Sequence, residues 1–191
     1  MENLKFYDTL TMYPQLQLIT DAIHDIKYEL NNYQYNWINW VEKKLYIDNG
    51  ELSIIPIYGF DKWTKCSDFF PKLTNIIKRI NGVKLVAFSK LNKDTILTVH
   101  KGWKNHSNYV IRNHIGITVP EKCGIWCEGK KCDHENYKWL SFDDSKYHTA
   151  YNSSISERII LIIDIERPNY LKLGTSNVED STELKIFLEN I

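Results

Sequence analysis

The feature that most restricts the fold is a change in hydrophobic period along the chain. From Leu16 to Leu30, and again from Pro71 to Ile80, apolar residues recur at spacings of three and four, which indicates helices. Between Lys84 and Ile165 the period is two, which is typical of strands with one buried face. The sequence therefore predicts a mainly β core with flanking helices.

The β region divides into short predicted strands separated by turn-rich segments such as Lys101–Asn105, Gly129–Asn136 and Asn152–Ser156. The predicted strands are Lys84–Phe88, Thr95–His100, Tyr109–Val119, Gly124–Cys127, Trp139–Phe142, Tyr147–Tyr151 and Arg158–Ile165. Strands of this length and spacing predict a sandwich or jelly-roll barrel. Leu45–Ile47 and Ser53–Tyr58 are predicted as further strands, with Pro56 keeping the second at a sheet edge.

The helical segments flank this β region on both sides. Asn81-Gly82 supplies a left-handed stop after the second helix, and a third helix opens near Ser181 with Leu184, Phe187 and Leu188 facing inward. We expect a single domain over residues 1–191. It has a helical N-terminal part at about 1–60, a jelly-roll core at about 61–170 and a C-terminal helix at about 179–191.

Composition excludes several classes of function. Lys plus Arg and Asp plus Glu both number 24, so no net charge draws the protein to nucleic acid or to an anionic membrane. The first residues lack the features of a signal peptide, and no apolar run is long enough to span a bilayer. The expectation is a cytoplasmic protein with free thiols and with neither a nucleic-acid nor a membrane partner.

One predicted strand carries charged and titratable groups on a single face. In the segment Tyr109–Val119, alternation places Arg112 and His114 together, with Gly116 beyond them. The other face is aliphatic except for Asn113. Because only four arginines occur in the chain, one on a strand face suggests a need for its planar guanidinium.

A second histidine and arginine flank the turn at Asn152-Ser153-Ser154. A hairpin centred near Ser154 would place His148 opposite Ile160 and diagonal to Arg158 on one face. Arg158 opens a run of aliphatic residues, so its charge requires an anionic partner from the protein or from a ligand.

A third histidine, His100, ends an apolar run and is followed by Lys101-Gly102. Metals that carry out oxygen chemistry are often held by His-x-Asp on one strand and a histidine far downstream. Here glycine occupies the carboxylate position.

In this respect the chain resembles the aspartyl/asparaginyl β-hydroxylase family of iron(II)- and 2-oxoglutarate-dependent dioxygenases. The resemblance runs from about Trp63 to Pro168 and rests on an ordered set of motifs. These are Phe88-Ser89, His100-Lys101-Gly102, Arg112-Asn113-His114-Ile115-Gly116, Phe142-Asp143-Asp144-Ser145, His148, Arg158, Asp164 and Pro168. It implies a double-stranded β-helix fold, and the family characteristically has glycine at the position of Gly102.

The resemblance also implies roles for particular residues and a set of cofactors. His100 and His148 are the expected iron ligands and catalytic residues. Arg158 with Ser89 is expected to clamp the distal carboxylate of 2-oxoglutarate, and Arg112 with His114 to contact its other carboxylate. The cofactors are then Fe(II), 2-oxoglutarate and O2, with ascorbate as a supporting reductant. The implied reaction hydroxylates an unactivated C–H bond, in the first instance the β-carbon of an Asp or Asn side chain in a protein or peptide.

Several alternatives stay open at the level of sequence. Arg112 and Arg158 could instead pair with Asp143, Asp144 or Asp164, and the Asp143-Asp144-Ser145 segment is interpreted as turn chemistry. His24, His106 and His134 are interpreted as structural. Cys123, Cys127, Cys132 and His134 are possible zinc ligands, although their spacing fits no standard zinc knuckle.

Tryptophans and two rival functions complete the predictions. Trp37, Trp40, Trp126 and Trp139 are interpreted as packing residues, whereas Trp63 and Trp103 are expected near the substrate mouth.

An inactive binding module of the same fold is one alternative to the hydroxylase function, suggested by a longer gap between His100 and Arg112 than the family usually has. A halogenase is the other, because glycine at the carboxylate position leaves room for chloride.

Overall fold

The computed structural model describes residues 5–46 and 51–190, in which strands form two antiparallel sheets. In chain order the strands are β1 (Phe6–Tyr7), β2 (Ile38–Asn39), β3 (Leu52–Gly59), β4 (Lys62–Trp63), β5 (Val83–Leu91), β6 (Thr95–Ile96), β7 (Val110–Thr118), β8 (Cys123–Cys127), β9 (Lys130–Asp133), β10 (Trp139–Phe142), β11 (His148–Asn152) and β12 (Arg158–Glu166). The large sheet has the order β1-β10-β7-β12-β5-β3-β2, with β4 also paired to β3. The small sheet has the order β6-β11-β8-β9.

Short helices surround these sheets. The α-helices are α1 (Thr9–Met12), α2 (Gln17–Asp21), α3 (Ile23–Asn31), α4 (Pro71–Ile77), α5 (Lys104–Ser107) and α6 (Thr182–Asn190). Single 3-10 turns lie at Pro14–Leu16, Lys43–Leu45 and Lys65–Phe69. The predicted mainly β fold with two sheets and flanking helices is confirmed.

Two hydrophobic cores follow from the alternation of the strands. On the outer face of the large sheet, Ile111, Ile115 and Ile117 of β7 pack with aliphatic residues of β12 and with the buried faces of α2, α3 and α4. The second core lies between the sheets and includes Phe142 and Ile125. Because successive side chains point to opposite faces, Arg112 and His114 of β7 are directed into the space between the sheets.

The polar exception on the aliphatic face of β7 is fully satisfied. The amide of Asn113 donates to the carbonyls of Ile111 and Ile163, and its oxygen accepts a hydrogen bond from the Ser141 hydroxyl. A buried amide with these partners avoids the desolvation penalty that an unpaired polar group would carry.

The first predicted helix is interrupted. Leu16–Leu30 was expected to be continuous, but α2 ends at Asp21 and α3 begins at Ile23, with Ala22 outside helical geometry. The apolar stripe still faces one core, because Leu16, Ile19 and Ile26 are fully buried on both sides of the interruption. The second helix ends at Ile77, and Gly82 adopts the predicted left-handed conformation with φ of +76°.

Two strand predictions need correction. The segment predicted as a strand from Thr95 to His100 keeps ladder pairing only at Thr95–Ile96, and His100 makes a separate single bridge. The segment Gly129–Asn136, expected to be a turn, contains β9. Glu128 and Gly129 both have positive φ, so they form the two-residue hairpin turn between β8 and β9.

The predicted hairpin between His148 and Arg158 is wrong. Strand β11 belongs to the small sheet, where His148 pairs with Cys127, whereas β12 pairs with β5 and β7 in the large sheet. Asn152 fixes the crossing between the sheets, since its buried amide donates to the carbonyls of Leu91, Asn92 and Ser156. His148 and Arg158 therefore face the same space from opposite sheets.

The edge of the large sheet formed by β2 also differs from the prediction. β3 lies one position in from the edge, because β2 pairs at Ser53 and Ile54, and β4 pairs at Tyr58 and Gly59. Pro56 lies between these two short partners, where its missing N–H leaves no ladder bond unmade. The predicted strand Leu45–Ile47 extends outside the described residues, and Tyr46 makes one bridge with Leu97.

Candidate active site

A cavity of about 410 Å³ lies between the two sheets. Its inner end is lined by polar and charged side chains, which are Ser89, Arg112, His114, Asp144 and Arg158. Its outer end is mostly apolar and is built from loops and from α6, with Trp40, Leu45, Val99, Trp103, Val178, Leu184, Phe187 and Leu188 in its wall. His100 and His148 line the same cavity.

The two histidines expected to bind iron lie side by side. The backbones of His100 and His148 exchange two hydrogen bonds, each with an N to O distance of 2.9 Å. Directly paired residues on antiparallel segments project their side chains to the same face. The imidazole ring centroids are accordingly 4.3 Å apart, although 47 residues separate the two positions in the chain.

Each of these imidazoles is held by one ring nitrogen. His100 Nδ1 lies 2.7 Å from the carbonyl oxygen of Thr98, and His148 Nδ1 lies 2.9 Å from that of Lys146. A carbonyl accepts only, so Nδ1 carries the proton in both rings and Nε2 keeps its lone pair. This second hydrogen bond is the arrangement that orients histidines bound to metals in proteins.

Burial lowers the pKa of both rings and so favours their neutral form. The pKa of His100 is lowered by desolvation, against which the carbonyl of Thr98 and the Asp144 charge act. The pKa of His148 is well below its usual range because of burial and the neighbouring His100. Neutral imidazoles are the form that binds a metal ion.

Gly102 is packed against a carboxylate from another segment. A Cβ atom at Gly102 would collide with the side chain of Asp144 and would lie 2.7 Å from Ser107 Cβ. The backbone N–H of Gly102 donates to the carbonyl of Asp144, at 2.8 Å. The Asp144 carboxylate itself lies 3.4 Å from His148 Nε2. The space beside Gly102 is thus filled by Asp144.

Arg112 is neutralised by two buried aspartates. Its Nε and Nη2 atoms donate to the two oxygens of Asp164 at 2.9 and 2.7 Å, and Nη1 donates to Asp144. His106 also contacts Asp164, at 2.8 Å. Although burial alone would raise the pKa of Asp164, the bidentate contact with Arg112 holds it well below the usual range. The ion-pair alternative left open by the sequence therefore describes Arg112.

Arg158 has no such partner. It is 2% exposed, and its contact with the hydroxyl of Ser89 is long, at 3.4 Å from Nη2. Its Nε has no hydrogen-bond partner, and among the described residues no carboxylate forms an ion pair with it. Burial lowers the pKa of Arg158 to about 10. A buried guanidinium without an anion is unfavourable, so this site favours an anionic ligand.

His114 and His134 form a buried pair that the sequence did not predict. His114 Nδ1 lies 3.1 Å from His134 Nε2, while His114 Nε2 and His134 Nδ1 have no partner in the part of the chain that is described. Burial lowers the pKa of both rings well below the usual range. The sequence alone predicts a structural role for His134. No sequence pattern marks its contact with His114, because the pairing of β8 with β9 and the turn after it bring this residue to β7.

The outer end contains a buried carboxylate that sequence reasoning missed. Glu42 is 7% exposed and lines the cavity, where Trp103 Nε1 donates to its Oε1 at 3.3 Å. The ring of Trp103 lies 5.7 Å from that of Trp40, which in turn lies 5.8 Å from Phe187. Glu42 precedes a single 3-10 turn and follows no periodic pattern, so no sequence signal marks it.

The remaining predicted residues divide between the cavity wall and the surface. Trp103 lines the cavity as expected, but Trp63 packs on Tyr58 and Lys78 at the surface. Trp40, interpreted as a packing residue, forms part of the cavity wall. Within residues 5–46 and 51–190, no three His, Cys, Asp or Glu side chains are arranged to hold a metal, and this includes Cys123, Cys127, Cys132 and His134.

The chain is similar in structure to one solved protein and in sequence to two curated proteins. A 2OG-Fe(II) oxygenase family oxidoreductase from Burkholderia pseudomallei superposes with a TM-score of 0.53 at 11% identity, covering 82% of this chain and 81% of that chain, which supports the double-stranded β-helix fold. An ornithine lipid ester-linked acyl 2-hydroxylase from Rhizobium tropici is 31% identical over 101 residues, covering 51% of this chain and 35% of its own length. Aspartyl/asparaginyl beta-hydroxylase from Mus musculus is 32% identical over 84 residues, covering 44% and 11%.

The chain thus spans about a third or less of the length of these two curated relatives. No helix in the described ranges is both long and apolar enough to cross a membrane. The family model named Aspartyl/Asparaginyl beta-hydroxylase matches residues 16–168, which contain every site residue predicted from the sequence. The chain belongs to the aspartyl/asparaginyl β-hydroxylase family, whose members are hydroxylases dependent on Fe(II) and 2-oxoglutarate.

Proposed function

We propose that this protein is a hydroxylase that uses Fe(II), 2-oxoglutarate and O2. The observation that carries the proposal is the pairing of His100 with His148, whose Nδ1 atoms are taken up by carbonyl groups so that the Nε2 lone pairs, with Asp144 3.4 Å from that of His148, are available to a metal. Two neutral imidazoles on adjacent backbone segments suit Fe(II). When bound, iron with 2-oxoglutarate and O2 supplies the oxidation that converts an unactivated C–H bond to C–OH, with release of succinate and CO2.

Arg158 is the proposed anchor for 2-oxoglutarate. A cosubstrate with two carboxylates would place one of them against the buried guanidinium and the hydroxyl of Ser89. Arg112 is the less direct part of this proposal, since Asp144 and Asp164 already occupy three of its five N–H groups. Its proposed role is to hold Asp144 beside the histidine pair.

His114 is the proposed contact for the second carboxylate of 2-oxoglutarate. If His134 donates from Nε2 to His114 Nδ1, then His114 carries its proton on Nε2, the atom without a partner. That N–H would donate to a carboxylate in the cavity. The protein would thus contribute binding and orientation at the inner end, while the apolar walls exclude water from the reacting C–H bond.

For the substrate, we propose the β-carbon of an Asp or Asn side chain in a protein or peptide, on the strength of family membership. A second candidate is an acyl chain, as in the name of the Rhizobium tropici relative. It is favoured by the apolar outer end, where Trp40, Trp103, Phe187 and Leu188 line the wall. The two candidates differ in chemistry, so one assay separates them.

The test is cosubstrate turnover measured as succinate. Purified protein with Fe(II), ascorbate and 2-oxoglutarate is incubated with Asp- and Asn-containing peptides or with acyl lipids. We expect succinate above the level of a His148→Ala control, together with a mass increase of one oxygen in one substrate class. Absence of succinate above that control with every substrate would favour an inactive binding module. Addition of a halogen would favour a halogenase.

A further inference from the structure

We propose that the outer end of the cavity is a binding site for an ammonium group of the substrate, formed by Glu42, Trp40, Trp103 and Phe187. This proposal rests on the proposed function, because the ammonium group would belong to the substrate of the proposed hydroxylase. The side chains that form the site differ from those that would hold iron and 2-oxoglutarate. Nothing in the family assignment requires it.

The first support is the burial of a carboxylate without a cation. Glu42 is 7% exposed, and in the described part of the chain its side chain accepts one hydrogen bond, from the neutral indole of Trp103 at 3.3 Å. No Lys, Arg or His forms an ion pair with Glu42 among the residues described. A buried carboxylate that lacks a cation is unfavourable, and a ligand that supplies the cation removes the penalty.

The second support is a set of aromatic rings that includes Trp103, the hydrogen-bond donor to this carboxylate, and continues along the cavity wall from it. Trp40 lies 5.7 Å from Trp103 and 5.8 Å from Phe187, measured between ring centroids, and all three rings line the cavity. The faces of aromatic rings attract cations, with tryptophan the strongest. A carboxylate among such rings favours an ammonium group over a neutral group of equal size.

The nearby lysines do not fill this role. Lys44 and Lys101 also line the cavity, but the Lys44 side chain is exposed. The Lys101 ammonium donates to the carbonyl of Thr175 and lies 4.6 Å from the centre of the Tyr147 ring. Both cations therefore have solvent or other partners, and the Glu42 carboxylate stays available to a ligand.

The position of the site relates it to the proposed chemistry. Glu42 accepts a hydrogen bond from Trp103, which follows His100 by three residues, whereas Arg158 lies on β12 of the large sheet. The carboxylate is therefore on the His100 side of the cavity, away from the proposed cosubstrate anchor. An ammonium held there would leave the rest of the substrate directed towards the histidine pair.

The experiment compares two probes that differ in charge. n-Butylammonium and 1-butanol have the same chain length, and each is titrated into the full chain without metal or 2-oxoglutarate. The readout is the resonance of the Trp103 indole N–H, assigned by its loss in Trp103→Phe. We expect n-butylammonium to shift this resonance at a concentration at least tenfold lower than 1-butanol does. We also expect Glu42→Gln to weaken the n-butylammonium response at least tenfold.

Glu51→Gln is the matched control, because Glu51 lies outside the cavity in a neighbouring surface cleft with Trp37 and Lys90. This variant should respond as the wild type does. Equal responses to the two probes, or no response to either, would overturn the proposal without use of any variant. So would an unchanged n-butylammonium response in Glu42→Gln. Because neither iron nor 2-oxoglutarate is present in this titration, a negative result would overturn the ammonium site and would not bear on the proposed hydroxylase activity. The succinate assay tests that activity separately.

Discussion

The two ends of the cavity carry buried charges of opposite sign, and neither charge has an oppositely charged partner within residues 5–46 and 51–190. At the inner end the charge is the guanidinium of Arg158, which lies on a central strand of the large sheet. At the outer end it is the carboxylate of Glu42, which lies on a connection between β2 and β3. In the same cavity, Arg112 shows the opposite case, with two aspartates around one guanidinium.

We interpret this difference as a division between charges that serve the fold and charges that are proposed to bind ligands. Arg112, Asp144 and Asp164 satisfy one another and fix β7 against β12. Among the described residues, Arg158 has a hydroxyl and Glu42 an indole as side-chain partner, and no opposite charge offsets the desolvation of either group. The inner end is set by strand alternation, whereas loops and a terminal helix build the outer end, where relatives with different substrates are expected to vary.

The largest expected effect is at the inner end. Arg158→Ala removes the proposed charged partner of a buried carboxylate, and we expect a loss of about 2–5 kcal/mol in 2-oxoglutarate binding. Isothermal titration calorimetry with Mn(II) in place of Fe(II) measures this change. Arg79→Ala, on the surface after α4, serves as the control. Unchanged affinity in Arg158→Ala would remove this residue from the cosubstrate site.

The second largest effect is a loss of stability expected from substitutions of Gly102. Gly102→Ala should destabilise the protein by about 1–3 kcal/mol, because the new Cβ collides with the Asp144 side chain. Gly102→Asp should be at least as destabilising and should not raise activity. Urea unfolding measures the first effect and succinate release the second.

Gly129→Ala is a useful comparison for that variant, since space beside Gly129 is open although its φ is +90°. It separates backbone strain from the side-chain collision. An increase in activity in Gly102→Asp would contradict the packing argument and would indicate that Asp144 gives way to a third metal ligand.

A smaller effect is expected from the histidine pair behind His114. His134→Leu removes the proposed donor to His114 Nδ1, so the proposed proton on His114 Nε2 would no longer be enforced, and we expect about 1 kcal/mol weaker 2-oxoglutarate binding. His134→Gln keeps an amide N–H in reach of the same nitrogen and should restore part of the affinity. Equal affinities in the two variants would exclude a role for His134 in setting the His114 tautomer.

The smallest effect should come from the outer end. Trp103→Phe removes the hydrogen bond to Glu42 but keeps an aromatic ring, and we expect a change of about 0.5–1 kcal/mol in the free energy of unfolding. Binding of 2-oxoglutarate should stay the same, which calorimetry on the same variant tests. A large loss of 2-oxoglutarate affinity would show that the two ends are not independent.

Regular alternation made part of this site predictable from the sequence. It placed Arg112 and His114 on one face of β7 and the aliphatic residues on the other, as the structure has them. The pairing of His100 with His148 could not be derived in that way, because strand partners distant in the chain are chosen by the whole fold. The family resemblance supplied both residues, while the local hairpin interpretation assigned β11 to the wrong sheet.

Residues outside regular elements were the ones that sequence reasoning missed. Asp143 accepts hydrogen bonds from the backbone N–H and hydroxyl of Ser145, as expected for turn chemistry, but its neighbour Asp144 is directed into the cavity. Glu42 likewise lies in a connection without a period. Their burial depends on what packs over them, which composition and spacing do not encode.

If His100 and His148 bind a metal as proposed, their backbone bridge links metal occupancy to the closure of the small sheet. An ion bound by both rings would cross-link the segments that contain His100 and His148. Because it would bind the folded state only, the melting temperature should rise with metal concentration. The same two main-chain hydrogen bonds would then set the lifetime of the bound ion, because fraying at this one rung separates the ligands.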